Sequence, residues 1–381
     1  MSEPTVNPHF RPDPARAIHI NGTIGRELLD ELTPRIVAMT LQSRAPITLF
    51  INSPGGSVFY ADQIFRLLTL PTQDSGAPCR LIVVGLSLVA SAASDLLVAG
   101  DYALAYPYST IMCHGVRQSG VDDELTRERA IDLAKSLAST NEQYALQLAH
   151  NSIARFMFRY AFLRPEFEGI RAAREGQVYS DASCMLFALK DRVSPQLWKL
   201  LREAMIRSLD NDILDDRASQ TIKAHGSVGE LPAASFEALL LKCIVDHLVD
   251  NHKEEAEWSL RRAGFNKIEE NFEILIDSHA ERHKEQIQKL TNRWGEFFLE
   301  ATEQSEFTAI IEGDREAWLL DRVAHKIRSI WFLFVSICRL LQESDHYFSA
   351  EDAYWVGLID EIIGRNDLPS PRTFVEFAPS E

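Results

Sequence analysis

Residues 47–68 read ITLFINSPGGSVFYADQIFRLL, and this stretch decides the fold. Ile47–Ile51 is a short apolar run of the kind that forms a buried strand. Pro54, Gly55 and Gly56 then break it, and Ala61, Ile64, Phe65 and Leu68 recur at helical spacing. A strand feeding a helix through a tight turn is half of a parallel crossover unit. The same grammar extends on both sides. Ile18–Ile20 is a short strand, and Leu28, Leu29, Leu32, Ile36 and Met39 mark a helix in which Thr33-Pro34 can cap and restart the chain. Leu81–Val84 is a continuous apolar strand, followed by the small-residue run ASAAS at 90–94. The fold class is therefore α/β, a mainly parallel sheet with helices packed on it.

Beyond about Asp122 the pattern changes. Residues 122–150 read as one long polar-faced helix on which Ala130, Leu133, Leu137, Tyr144 and Leu148 repeat. From 151 to 340 nearly everything has helical periodicity, with breaks expected at PEFEG (165–169), HGSVGELP (225–232) and 312–316. GLIDEII at 357–363 looks like a return to the α/β part. The expected organisation is a flexible arm over 1–16, an α/β core with a long helix over 17–150, an all-α insertion over 151–340, a return to the core over 341–365 and a tail over 366–381.

Composition narrows the function classes. The 381 residues carry 39 basic and 55 acidic side chains, a net charge of −16, which argues against a nucleic-acid partner because phosphate binding needs clustered Lys and Arg. The apolar fraction of 46% and charged fraction of 25% are those of an ordinary globular protein. The most apolar run, IWFLFVSIC at 330–338, lies between Arg328 and Arg339 and is too short to span a bilayer. The opening MSEPTVNPHFRPDPAR lacks an apolar h-region, so no signal peptide is expected. Cysteines 79, 113, 184, 243 and 338 show no CxxC spacing and read as reduced, mostly buried thiols. These features suit a soluble, cytoplasmic protein with no membrane partner.

Four places could carry chemistry. INSPGGSV (51–58) offers backbone N–H groups at a turn where glycines let a ligand approach, and such donors can stabilise an oxyanion. VASAASDLL (89–97) puts Ser91 at a strand-to-helix junction. PYSTIMCHGV (107–116) ends a strand at His114, a candidate base. Asp345, ahead of HYFSAED, can hold an imidazole or simply cap a helix. Each also fits a structural role: a turn, tight packing, a satisfied histidine, a cap.

In this order, the four motifs resemble the ClpP family of serine peptidases, the Clp protease proteolytic subunits, with their crotonase-like fold. INSPGGSV is close to that family's signature. ASAASDLLVAG is similar to its nucleophile segment, PYSTIMCH to its histidine segment, and DHYFSAEDAYWVGLID (345–360) to its aspartate segment. The resemblance covers about 17–150 and 341–363. It implies peptide hydrolysis with Ser91 as nucleophile, His114 as base and Asp345 as acid. Backbone N–H groups at Gly56 and Ala92 would form the oxyanion site, with Gly55 an alternative donor to Gly56. The 122–150 helix is similar to the handle that joins two rings in that family, which implies a homo-oligomer. The chain has no GxxxxGK[ST] segment, so any AAA+ ATPase acting on a peptide or unfolded protein substrate would be a separate partner. No cofactor or metal is implied.

The sequence departs from the family in several places. Gly85 stands six residues before Ser91, two more than the family usual, and Ala93 replaces a common glycine, which keeps Ser94 and Ser87 as fallback nucleophiles. Between His114 and Asp345 lies a large helical insertion. Within it, YSDASCMLFALKDRV (179–193) echoes FSAEDAYWVGLIDEI (348–362), and were that copy in the core position Gly176 would replace the acid. These departures sustain a second reading, a catalytically silent scaffold or regulatory subunit of the same fold. A Ser–Lys hydrolase or an acyl-CoA enzyme fits less well, since Lys135 is the only lysine near the motifs and lies on the long helix. His279 and His283 share a helix face in HAERH without a third ligand and read as solvated, and WGEFF (294–298) reads as core or a partner surface.

Overall fold

A computed structural model describes residues 10–71, 77–118, 126–172, 188–208, 270–299 and 301–369. The chain divides into two compact units, Met1–Arg159 with Cys338–Glu381, and Tyr160–Ile337.

The first unit is built on a seven-stranded sheet. Its elements are β1 (Ala17–Asn21), α1 (Arg26–Gln42), β2 (Ile47–Ser53), α2 (Val58–Leu68), β3 (Leu81–Ala90), α3 (Ala92–Val98), β4 (Tyr102–Ala105) and β5 (Thr110–Cys113). The helix α4 (Arg127–Ala172) begins in this unit. Strands β1, β2, β3 and β4 run parallel in that order. Buried Ile18, Ile20, Leu49, Ile51, Val83 and Val84 supply the apolar faces such a sheet needs. On α2, Ala61, Ile64 and Leu68 are buried, the stripe the 3.6-residue period predicts.

Strand β3 is irregular in a way that positions the site. Ile51 pairs with Gly85 but Ser53 pairs with Val89, so four steps on β3 match two on β2. The two extra residues of β3 are absorbed in this bulge. Before it, β3 pairs with β4 through Gly85↔Ala105. After it, β3 pairs with β5 through Leu88↔Thr110 and Ala90↔Met112. The Ser109 hydroxyl sits in the fork, 3.0 and 2.9 Å from the carbonyls of Gly85 and Leu86.

Residues 346–362 complete this sheet. The strand β6 (His346–Ser349) lies antiparallel on β5, and β7 (Glu361–Ile362) pairs parallel with β4. Between them is a short helix over Ala350–Trp355, capped by the Ser349 hydroxyl. The copy that takes the core position is thus 348–362; most of its echo, 179–187, lies outside the described residues. A buried ion pair fastens this return. Arg155 Nε donates to Asp360 Oδ2 at 2.7 Å and its other nitrogens reach the carbonyls of Val98 and Gly100. Arg159 is fully buried, stacked 3.8 Å from the Tyr354 ring centroid and donating to the carbonyls of Ile359 and Asp360.

Three expectations need correction. Residues 10–16 are packed rather than loose: Phe10 stacks on Tyr102 at 4.1 Å, and buried Arg16 donates to carbonyls of Met39, Ser43 and Ala45. Pro34 does not restart α1, which continues through it, while the Thr33 hydroxyl donates to Leu29 O at 2.7 Å. PEFEG does not break α4, which runs on to Ala172. Around Pro34 a local side-chain bond accompanies the continued helix, against the intrinsic preference of proline.

In the second unit the described helices are the remainder of α4, α5 (Pro195–Ser208), α6 (Glu270–Trp294), α7 (Ala301–Ala309) and most of α8 (Arg315–Leu341). A Ser194 hydroxyl accepting from Leu197 N caps α5 ahead of Pro195, as the sequence favours. Residues 312–314 form a one-turn break before α8, as expected; HGSVGELP lies outside the described residues. The aromatics of WGEFF are core: Trp294 and Phe298 are buried and Phe298 stacks on Tyr160 at 4.6 Å. His283 is not solvated. It is buried and its Nδ1 accepts from Trp331 Nε1 at 3.0 Å. The run 330–338 is part of buried α8, and no described helix is long and apolar enough to cross a membrane.

Candidate functional site

Ser91 occupies the turn between β3 and α3 with φ 58 and ψ −133. It is the one non-glycine among the described residues in the positive-φ region, where an L side chain is strained. Its N–H donates to Met112 O at 2.8 Å, and its carbonyl accepts from Ser94 N at 2.8 Å and from the Ser94 hydroxyl at 2.6 Å. Cys113 Sγ lies 3.7 Å from Ser94 Oγ as its donor. The Ser91 turn is thereby braced against the strand that leads to His114. Burial, lessened by the Ser94 contact, pushes the Cys113 thiol up to about 12, so it stays protonated as that donor. Ser94, a fallback nucleophile, is buried with its hydroxyl engaged on Ser91; Ser87 is exposed in the β3 bulge.

The PGG turn lies directly over Ser91. Gly55 has φ +93, and a Cβ there would fall 2.5 Å from Ala90 O and 2.6 Å from Ser91 Cβ. Only glycine satisfies both the dihedral and the space. Gly55 N–H is already used, donating to Ser53 Oγ at 3.0 Å. Of the two glycines, Gly56 is the one whose amide is not drawn into that turn. Its neighbours are tied to Ile24, with Ile24 N donating to Gly55 O at 2.8 Å and Ser57 N to Ile24 O at 2.9 Å. Ala92 opens α3, and Ser91 does not cap it, so the Ala92 amide belongs to the first turn, which has no intrahelical acceptor.

His114 is half-buried one residue beyond β5. Its Nδ1 hydrogen-bonds the Gly115 carbonyl. A carbonyl can only accept, so Nδ1 is the donor, which leaves Nε2 as the ring nitrogen for general-base work. The β5–β6 ladder ends at Cys113↔His346, and one step further in the same register come His114 and Asp345. Asp345 makes no hydrogen bond to the imidazole. Its carboxylate is held by the Arg117 guanidinium. Among the described residues, hydrogen bonds join neither Ser91 to His114 nor His114 to Asp345. The architecture brings the strand that leads to His114 beside the strand that follows Asp345, but no hydrogen bond links the two side chains.

A second ionisable group lies close to Ser91, on the helix that follows it. Asp95, one turn into α3, lines a cavity of about 20 Å³ with Val98, Tyr144, Gln147, Leu148 and Asn151. Burial raises its carboxyl from the ordinary 3.8 to about 7. Burial, with the Asp95 charge second, raises the Tyr144 phenol as well. No group of three His, Cys, Asp or Glu side chains placed to hold a metal occurs among the described residues.

Residues 11–153 match the Clp protease family model. They resemble a Clp protease domain. The ATP-dependent Clp protease proteolytic subunit 1 of Mycobacterium tuberculosis is 30% identical over 135 residues, 32% of this chain and 64% of that protein. Its namesake from Corynebacterium jeikeium is 28% identical over 148 residues, covering 36% and 76%. Subunit 3 of Rhizobium meliloti is 30% identical over 129 residues, covering 32% and 63%. Among solved structures, a ClpP1 mutant from Listeria monocytogenes aligns with 25% identity and a TM-score of 0.30, over 36% of this chain and 72% of that one. The chain thus spans just under two thirds of the first of these relatives, and the matched residues hold Ser91, His114 and the PGG turn. Asp345 lies outside the matched residues and joins the same unit through β6.

The sequence did not point to Arg117, the Gly115 carbonyl or the Ser94–Cys113 brace. Arg117 stands three residues from a candidate base, which is the only signal it offered. The other two are visible only once backbone and burial are known.

Proposed function

We propose that this protein is a serine peptidase of the Clp type, cleaving peptide bonds through Ser91, His114 and Asp345. The observation that carries the reading is the strained Ser91 backbone beneath Gly55. Strain at a non-glycine residue is retained where it aims a reactive side chain. In the first step His114 Nε2 takes the Ser91 hydroxyl proton as Oγ attacks the scissile carbonyl. The resulting oxyanion is bound by the N–H groups of Gly56 and Ala92. His114 then gives the proton to the leaving amine, leaving an acyl-serine that water hydrolyses by the same route. Asp345, on moving to His114 Nδ1, stabilises the imidazolium that forms in each half-reaction. Peptides or unfolded proteins are the substrates, and a homo-oligomer working with a separate AAA+ ATPase is the expected assembly.

The test is labelling with a fluorophosphonate probe and mapping by mass spectrometry. Label on Ser91 that is lost in Ser91→Ala and His114→Ala is the expected result. A folded protein that takes no label at Ser91 refutes it. One observation favours a second reading, a silent scaffold subunit: Asp345 is occupied by Arg117. That reading predicts no label under any condition.

A further inference from the structure

Arg117 and Asp345 are 228 residues apart in sequence, yet they form an ion pair beside the candidate base. Continued one step past its last pair, Cys113↔His346, the register of β5 and β6 brings Asp345 opposite His114, so the carboxylate has two candidate partners at one strand end. Arg117 supplies a permanent charge, whereas His114 supplies one only after it takes the serine proton. Meanwhile Gly115 O satisfies His114 Nδ1, holding the base in its working tautomer without the acid.

We propose that Arg117 is a restraining residue: it holds Asp345 away from His114, and the triad closes when the carboxylate exchanges the guanidinium for the imidazole Nδ1. This rests on the peptidase reading above. The two states differ in one respect that matters for rate. With the carbonyl of Gly115 on Nδ1, the developing imidazolium meets a dipole; with Asp345 there, it meets a full negative charge. The restraint is a light one. The Arg117 and Asp345 side chains are 62% and 40% exposed, and a pair so open to water biases an equilibrium only about 2- to 5-fold. It is also sensitive to salt, because exposed charges are screened. A weak, screened restraint suits a device that is opened by modest changes in its surroundings.

The experiment measures the rate of fluorophosphonate labelling at Ser91 for the full chain, in about 20 mM and about 500 mM sodium chloride. Arg117→Gln is expected to label about 2- to 5-fold faster than wild type at low salt, and wild type to approach it at high salt. Arg117→Lys keeps a cation and is expected to retain the wild-type salt response. Asp345→Asn added to Arg117→Gln is expected to remove the gain. The proposal is overturned if Arg117→Gln labels no faster than wild type at low salt, or if its gain survives Asp345→Asn. Folded wild type and Arg117→Gln that both fail to label at Ser91 overturn the peptidase reading, and this inference with it.

Discussion

Replacing Asp95 by asparagine is expected to stabilise the sheet-containing unit at neutral and alkaline pH and to do little in acid. The Asp95 carboxyl makes no hydrogen bond or ion pair among the described residues and faces a cavity with room for about one water. Burial raises it from 3.8 to about 7. A carboxyl whose folded value lies above its unfolded value keeps its proton longer in the native state. Below pH 3.8 both states are protonated and there is no cost. Between 3.8 and 7 the unfolded chain ionises first, so stability falls as pH rises. Above 7 both states are ionised and the full cost persists. A rise from 3.8 to about 7 corresponds to a ceiling of about 4 kcal/mol. The side chain is half-buried rather than sealed, which reduces the realised gain to about 1–3 kcal/mol. The assay is hydrogen-exchange protection of peptides from 81–105, with wild type and Asp95→Asn compared at the same pH so that intrinsic exchange cancels. Near pH 4 the two proteins should be alike, and near pH 8 the variant should be better protected. Equal differences at both pH values, or a variant weaker at pH 8, refute the reasoning.

Three other outcomes are expected. Arg155→Met leaves Asp360 buried without its cation and should cost about 3–5 kcal/mol in urea unfolding, much of it recovered in the Arg155→Met/Asp360→Leu double variant. Gly55→Ala forces a methyl into Ala90 O and Ser91 Cβ at a dihedral alanine resists, and should lower fluorophosphonate labelling at Ser91 at least about tenfold while circular dichroism stays near wild type; undiminished labelling contradicts the stacked arrangement of the two turns. His283→Phe strands the Trp331 N–H in the core and should destabilise the helical unit by about 1–3 kcal/mol, with a change in Trp331 fluorescence, and adding Trp331→Phe should return part of the loss.

Much of the first unit was legible in its sequence because its elements are local. Ile47–Ile51 with PGG and the Ala61–Ile64–Leu68 stripe specify a strand, a turn and a helix within 22 residues, and ASAAS and PYSTIMCH mark two more strand ends. The return at 345–362 was legible for the same reason, as a strand and helix with their own pattern. What escaped depends on distant partners. The burial of Arg16 depends on carbonyls at the end of α1, and that of His283 on Trp331. Neither Pro34 nor PEFEG breaks its helix, against the local preference. At the candidate site, the order of motifs indicates which residues meet, but not that Asp345 is taken by Arg117, nor that Gly55 N–H is spent on Ser53. These are outcomes of competition between several polar groups at one place, and a linear pattern carries no information about who wins.

The interrupted core has a consequence for how the molecule is made. During synthesis β1 to β5 leave the ribosome early, but β6 and β7 follow only after the whole of residues 160–337. At ordinary elongation rates that is a delay of roughly 10–35 s. Through that interval β4 and β5 each expose an edge that pairs with β7 or β6 in the finished protein, and Arg155 waits for Asp360. Open edges recruit other strands. A nascent chain of this architecture is therefore a natural client for a chaperone until residues 346–362 arrive to close it.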